Sequence, residues 1–505
     1  MRFDRLAAPA LALALITAPA AGDERRPVID WLSDSVETPR PVAPRDGDVA
    51  SNAMPRPVAV SRLDAPTPDL LGLAGPLVDT LPRPLWSRSE MEALRPRLAA
   101  IRPAQLTAMQ RLVTAMLVAP SAPPAGSDGM AMYLARVDAL LGLGELDQAR
   151  ALLARAEIDG PETFRRWFDI AILTGTENTA CRRMRLLPEI TPTLPARIFC
   201  LARTGDWPAA ALTLETARAL DVIEPALANR LTRFLDDFAG GVPLAPPASP
   251  SPLDYALYEA IGEPLRSASL PIAFAHADLR DNVGWRARIE AAERLARAGA
   301  IGPERLWSVY QERLPAASGG VWDRVNAIQR FETAMRARDP AAVAGVLPDA
   351  WDQMGAADLR PIFAERYGAG LLRLPLEGAA ERIALRAAML SGGEERLRAT
   401  ETAARREPEL AALARGQDKA IADPTPEIAA ILRGLRAEDL TQDNRRLIED
   451  DRLGEALLEA AELLDEGAGG NLDAVTEGLS LLVALGLRDT AIDAALELAI
   501  LGMQP

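Results

Sequence analysis

The sequence predicts an all-α protein built as a stack of helical hairpins. Three observations predict it. Ala and Leu, strong helix formers, dominate the apolar 49%, while aromatics reach only 4% and leave little for a large sheet. Gly144, Gly175 and Gly205 recur at about 30-residue intervals, each between two amphipathic stretches. The same pattern returns near the far end, where LLVALGLRDTAIDAALELA mirrors LLGLGELDQARALLARA. A hairpin of this kind exposes an apolar face that only its neighbour can cover, so the expected architecture is an α-solenoid.

Residues 1–20 read as a secretory signal peptide. Arg2 and Arg5 supply a positive start, Leu6 to Ile16 an apolar run, and Ala18-Pro19-Ala20 a small-residue cleavage site. The run is too short to span a bilayer. No transmembrane anchor is expected after cleavage, and the expected compartment is the periplasm. Residues 21–85 are rich in Pro, Asp, Arg and Ser and read as a disordered leader, interrupted by the apolar island Val28-Ile29-Asp30-Trp31-Leu32.

Helical patterning begins at residue 86 and continues to 240. Ser87-Arg88-Ser89-Glu90 offers capping residues ahead of Met91, Leu94 and Leu98. Leu106, Met109, Leu112 and Met116 mark the next apolar face. The three glycine-centred hairpins follow. GGVPLAPPASPSP then makes residues 241–253 a Pro-rich linker or a long surface loop. Residues 254–505 read as a second helical-repeat domain. Gly299 ends one of its helices, Pro303 and Pro340 open others, and Ser391-Gly392-Gly393 forms a turn.

The glycine-centred hairpins resemble tetratricopeptide-type repeats. Tyr133, Gly144, Leu146, Ala149, Leu153 and Ala156 fit that pattern, as do Gly205, Trp207, Ala210, Leu214 and Ala217; Gly175 and Ala180 fit in the middle repeat. The small residue usual inside the first helix is replaced by Val137, Phe168 and Ile198, and the period is shorter than the family's. The resemblance implies a concave groove. Its positions here are Leu134, Asp138 and Leu141, then Arg165, Asp169 and Ile172, then Phe199 and Arg203.

On this register Cys181 and Cys200 fall on neighbouring helices of adjacent hairpins, which favours a disulfide in an oxidising compartment; two buried free thiols are the other reading. One histidine and two cysteines rule out the usual zinc sets, so no metal site is expected. His276, in AFAHAD, reads as structural, and no phosphate loop, dinucleotide fingerprint or nucleophile elbow is present. No cofactor and no catalytic residue are therefore expected. A net charge of −15 disfavours nucleic acid. The expected function is a non-catalytic, periplasmic protein-binding scaffold of the cell envelope whose partner is a protein or peptide. The alternative is a peptidoglycan-binding or glycan-cleaving envelope protein, because some lytic transglycosylases have a body of similar architecture.

Overall fold

A computed structural model describes residues 67–156, 160–236, 242–417, 421, 423–437 and 440–503. The expected signal peptide and the leader up to residue 66 lie outside the described residues. Among the described residues the chain is helical and contains no strand; its one extended pairing is the isolated bridge between Glu90 and Ala125. That bridge also starts the first helix. The expected side-chain caps are not used there, and the Met91 N–H donates to the Ala125 carbonyl instead.

The first helices are α1 (Met91–Ala100) and α2 (Thr107–Val118). Three hairpins follow: α3 (Ala131–Gly142) with α4 (Leu146–Leu153), α5 (Pro161–Leu173) with α6 (Glu177–Leu186), and α7 (Leu194–Arg203) with α8 (Trp207–Ala219). Each turns on its expected glycine at positive φ: Gly144 at 79°, Gly175 at 72° and Gly205 at 89°. In the first, the Glu145 N–H reaches the Leu140 carbonyl and the Gly144 N–H reaches that of Leu141, so the glycine closes a Schellman motif. The other two repeat this bonding, as does Gly486 near the C-terminus.

Next come α9 (Pro225–Leu235) and α10 (Pro252–Ala260). Of the stretch between them, residues 242–251 are described and form a loop with exposed Val242. α10 packs back on α5, and Leu253 and Leu257 share one apolar cluster with Phe164, Phe199 and Leu231. The 3-10 segment Ile272–Leu279 leads into α11 (Trp285–Arg297), α12 (Pro303–Tyr310), α13 (Val321–Ala337), α14 (Pro340–Gly355), α15 (Arg360–Leu371) and α16 (Gly378–Leu390), which form a second cluster. The last helices are α17 (Gly393–Ala403), α18 (Pro408–Ala414), α19 (Pro426–Leu435), α20 (Gln442–Glu449), α21 (Leu453–Ala468), α22 (Leu472–Ala484) and α23 (Arg488–Leu501). α5, α9, α10, α12, α14, α18 and α19 each open on a proline, whose fixed φ suits a first helical position. Seven of the 41 prolines thus mark helix starts.

The two ends of the described chain meet. A single apolar cluster joins α1–α4 to the final helices. Leu106 gives α2 no side-chain cap; Glu497 of α23, 389 residues away, accepts the Ala108 N–H at 2.9 Å in its place. Arg97 on α1 pairs with Glu459 and Glu462 on α21 at 2.9 and 3.1 Å. The Gly454 N–H, at the start of α21, donates to the Leu85 carbonyl at 2.8 Å. The helical array therefore closes on itself.

Residues 67–85, read from composition as the end of a disordered leader, belong instead to an ordered strap that runs on to Trp86. Asp69 explains why. Its carboxylate accepts the Tyr133 N–H at 2.8 Å and the Ser127 hydroxyl, at the start of α3. The Arg136 guanidinium holds the carbonyls of Asp69 and Leu71. Leu85 and Trp86 are buried at the strap's end.

Cys181 on α6 and Cys200 on α7 form a disulfide, with Cα atoms 4.8 Å apart, joining adjacent hairpins as their register predicts. A cross-link between residues 19 apart restricts the unfolded chain by about 3 kcal/mol. Reduction, or a paired Cys181→Ala and Cys200→Ala change, is expected to lower the unfolding midpoint by that order. A melt unchanged by reductant would contradict this.

Candidate functional site

The eight groove positions divide into two groups. On α3 and α5, Asp138, Arg165 and Asp169 belong to a buried charge cluster. The Arg166 guanidinium meets both oxygens of Asp138 at 2.6 Å and reaches Glu162 at 3.1 Å. Arg165 sits at 3.8 Å from Glu162. Leu141 is buried in the apolar core and Leu134 half-buried against it. The Asp138–Arg166 pair ties α3 to α5, and none of the five lines the cleft to which the other three belong.

Ile172, Phe199 and Arg203 line a cleft of about 250 Å³, together with Glu177, Phe234, Tyr255, Glu259, Arg280 and Asn282. Its floor is aromatic: the rings of Phe199 and Phe234 stack 5.4 Å apart, and Trp207 leans on Phe234 at 5.9 Å. Two ion pairs edge it. Arg203 pairs with Glu177 at 2.7 Å and donates to Asn178, while Arg280 meets both Glu259 oxygens at 2.8 Å. Gly175 lets Arg280 approach, since a Cβ there would lie 3.1 Å from its side chain. Burial raises the Tyr255 phenol well above its ordinary range, and the nearby Asp278 and Glu259 carboxylates add to the shift, so the group is neutral. Repeat register located the residues on α5 and α7. Tyr255, Glu259, Arg280 and Asn282 carry no local signal, because they arrive through the return of α10 onto α5. An aromatic floor between fixed Arg–Glu pairs suits an apolar side chain of a bound segment, with polar groups at the edge to meet its backbone.

Six of the ten large apolar side chains exposed among the described residues lie between Leu186 and Val222, around the same hairpins. Trp207, 47% exposed, connects that surface to the cleft floor. Surface concentrations of this kind mark interaction sites.

A larger cavity, of about 1250 Å³, lies between α2, the start of α4, the end of α11, the α14–α15 connection and the end of α23. Glu145 faces it, with the Thr114 hydroxyl donating to one carboxyl oxygen at 3.1 Å. His276 is structural: its Nε2 donates to the Gly144 carbonyl at 2.7 Å, and burial lowers its basicity. Among the described residues no three His, Cys, Asp or Glu side chains are placed to hold a metal ion. No described helix is long and apolar enough to cross a membrane.

Burial pushes the carboxyls of Glu145, Asp169 and Glu497 up to about 7. In an unfolded chain they ionise near 4. Between about pH 4 and 7 the folded chain therefore holds the extra protons, and stability falls as pH rises through that window. Asp493 is raised as well and adds to this; His276 opposes it, and the lowered Asp128, Glu427 and Glu455 carboxyls oppose it only at the acid end of the window. The unfolding midpoint is expected to be higher at pH 5 than at pH 8, and Glu497→Gln, which keeps an acceptor for the Ala108 N–H, is expected to flatten the profile. A midpoint that climbs from pH 5 to 8 would contradict the assignment.

The chain matches no family model, no curated protein and no solved structure. The class its fold defines is an all-α protein of helical hairpins, compatible with a helical-repeat architecture.

Proposed function

We propose that this chain is an exported, tetratricopeptide-like scaffold of the cell envelope that grips a segment of another protein in the cleft formed by α5, α7, α9 and α10. The observation that carries this reading is the cleft itself. Consecutive hairpins contribute their first helices to one aromatic floor, with oriented Arg–Glu pairs at its edge and exposed apolar side chains beside it. A preformed surface of this kind binds with little ordering cost. The signal-like residues 1–20 and the disulfide support a periplasmic setting.

The test is a photoreactive residue at Asn282, an exposed position at the cleft, in cells expressing the full chain. The expected product is a discrete protein adduct that disappears with Arg203→Glu, which breaks the partly exposed pair with Glu177 at a cost of about 1 kcal/mol and leaves the chain folded. No adduct from a folded, exported chain, or one indifferent to Arg203→Glu, would overturn the reading.

A further inference from the structure

The 1250 Å³ cavity is separate from the cleft and carries an independent argument. Its volume exceeds what a lone ion needs and suits an organic molecule. Arg294 and Arg297 stand three residues apart on the last turns of α11, on one face of the helix, and both line the cavity. Among the described residues neither has a carboxylate partner. Arg294 donates to the carbonyls of Ser267 and Leu270 at 2.9 and 2.6 Å, and Arg297 to that of Ala357 at 3.1 Å. Burial lowers the basicity of Arg294, and the positive charge of Arg297 lowers it further, while the Asp278 carboxylate partly offsets both. Two mutually repelling guanidiniums with no carboxylate at ion-pair distance, Asp278 acting on Arg294 only from farther off, stand out in a chain with 71 acidic residues against 56 basic ones. Each also keeps N–H groups unused by these backbone bonds.

The opposite wall carries the polar side chains of Gln110, Glu145 and Gln148. Gln110 and Glu145 are each 3% exposed; Gln110 accepts the Ala104 N–H, Glu145 accepts the Thr114 hydroxyl and interacts with the Gln110 side chain, and among the described residues Gln148 Oε1 is buried without a hydrogen-bond partner. Buried polar atoms of this kind are costly unless something satisfies them. Gly299 brings the end of α11 close to this wall, since a Cβ there would sit 2.7 Å from Gln110 Cγ. Arg111 and Arg360 also line the cavity, Arg111 paired with Glu365 at 2.8 Å and Arg360 lying 3.7 Å from Asp352. With the Glu145 carboxyl largely neutral below pH 7, the lining as a whole is cationic.

We propose that this cavity is a binding site for a small organic anion, whose carboxylate or phosphate is held by Arg294 and Arg297 and whose polar body lies against the wall of Gln110, Glu145 and Gln148. A paired guanidinium fork suits either oxyanion. The ligand would bridge α2, α4 and α11, and its binding would tighten the closed array.

The test is calorimetric titration of the full chain at pH 6.5 with glucose, glucuronate, glucose 6-phosphate, citrate and inorganic phosphate. Saturable binding of at least one organic anion is expected, with glucose at least tenfold weaker. Binding of glucuronate or citrate without glucose 6-phosphate identifies a carboxylate site, and the reverse a phosphate site. Arg297→Gln, on an exposed side chain, is expected to keep the melting temperature and weaken anion binding at least tenfold. If no anion outbinds glucose, or if anion binding is unchanged in Arg297→Gln, the proposal fails. Neither result bears on the crosslink at Asn282.

Discussion

Replacing Trp86 with alanine is expected to cost about 3–5 kcal/mol of stability, the range for deleting a large buried aromatic side chain. Trp86 is 1% exposed and lies against Gly454 at the start of α21. A Cβ on that glycine would meet the Trp86 ring at 2.4 Å and the Leu85 carbonyl oxygen at 2.6 Å. The indole thus fills space that only a glycine leaves free. Gly454→Val attacks the same contact from the other side by overpacking it. The two changes share one partner surface, so their combined cost is expected to be less than the sum of the separate costs. Urea unfolding measures all three variants. A loss below about 1 kcal/mol for Trp86→Ala would show that the strap does not secure the closure.

Arg136→Met is expected to be comparably damaging, for a different reason. The side chain is 1% exposed, and its guanidinium donates to four backbone carbonyls: Leu117, Ala119, Asp69 and Leu71. Burial lowers its pKa to about 10, so it remains charged at neutral pH. Methionine restores much of the volume and none of the donors. Leaving buried carbonyls unpaired costs about 1–3 kcal/mol per group, reduced by whatever water enters, so a net loss of about 3–5 kcal/mol is expected. Arg136→Lys is expected to recover little, because an ammonium cannot span four acceptors with the fork of a guanidinium. A lysine variant as stable as the parent would refute that account.

The hairpins were legible because their turns are local chemistry. A glycine in the left-handed region, followed by amphipathic spacing, is written within a few residues at Gly144, Gly175, Gly205 and Gly486. The disulfide was legible for the same reason, once the register placed Cys181 and Cys200 on neighbouring helices. The strap was not. Proline-rich composition hides the fact that Asp69 and Trp86 each have one decisive partner far along the chain. The candidate site falls between these cases. Register located Ile172, Phe199 and Arg203, while nothing local brings Tyr255, Glu259 and Arg280 to them. It also could not show that Asp138 is consumed by Arg166 of α5, or that Asp169, at the equivalent helical position, is fully buried near the same arginines.

The junction between Leu85 and Gly454 limits how such a molecule can change over evolutionary time. An open stack can gain or lose a hairpin at a free end and still present a serviceable edge. Here the circumference is fixed. An inserted hairpin would draw Leu85 away from Gly454 and part Glu497 from the amide it caps, so lineages of this fold should conserve hairpin number more strictly than hairpin sequence.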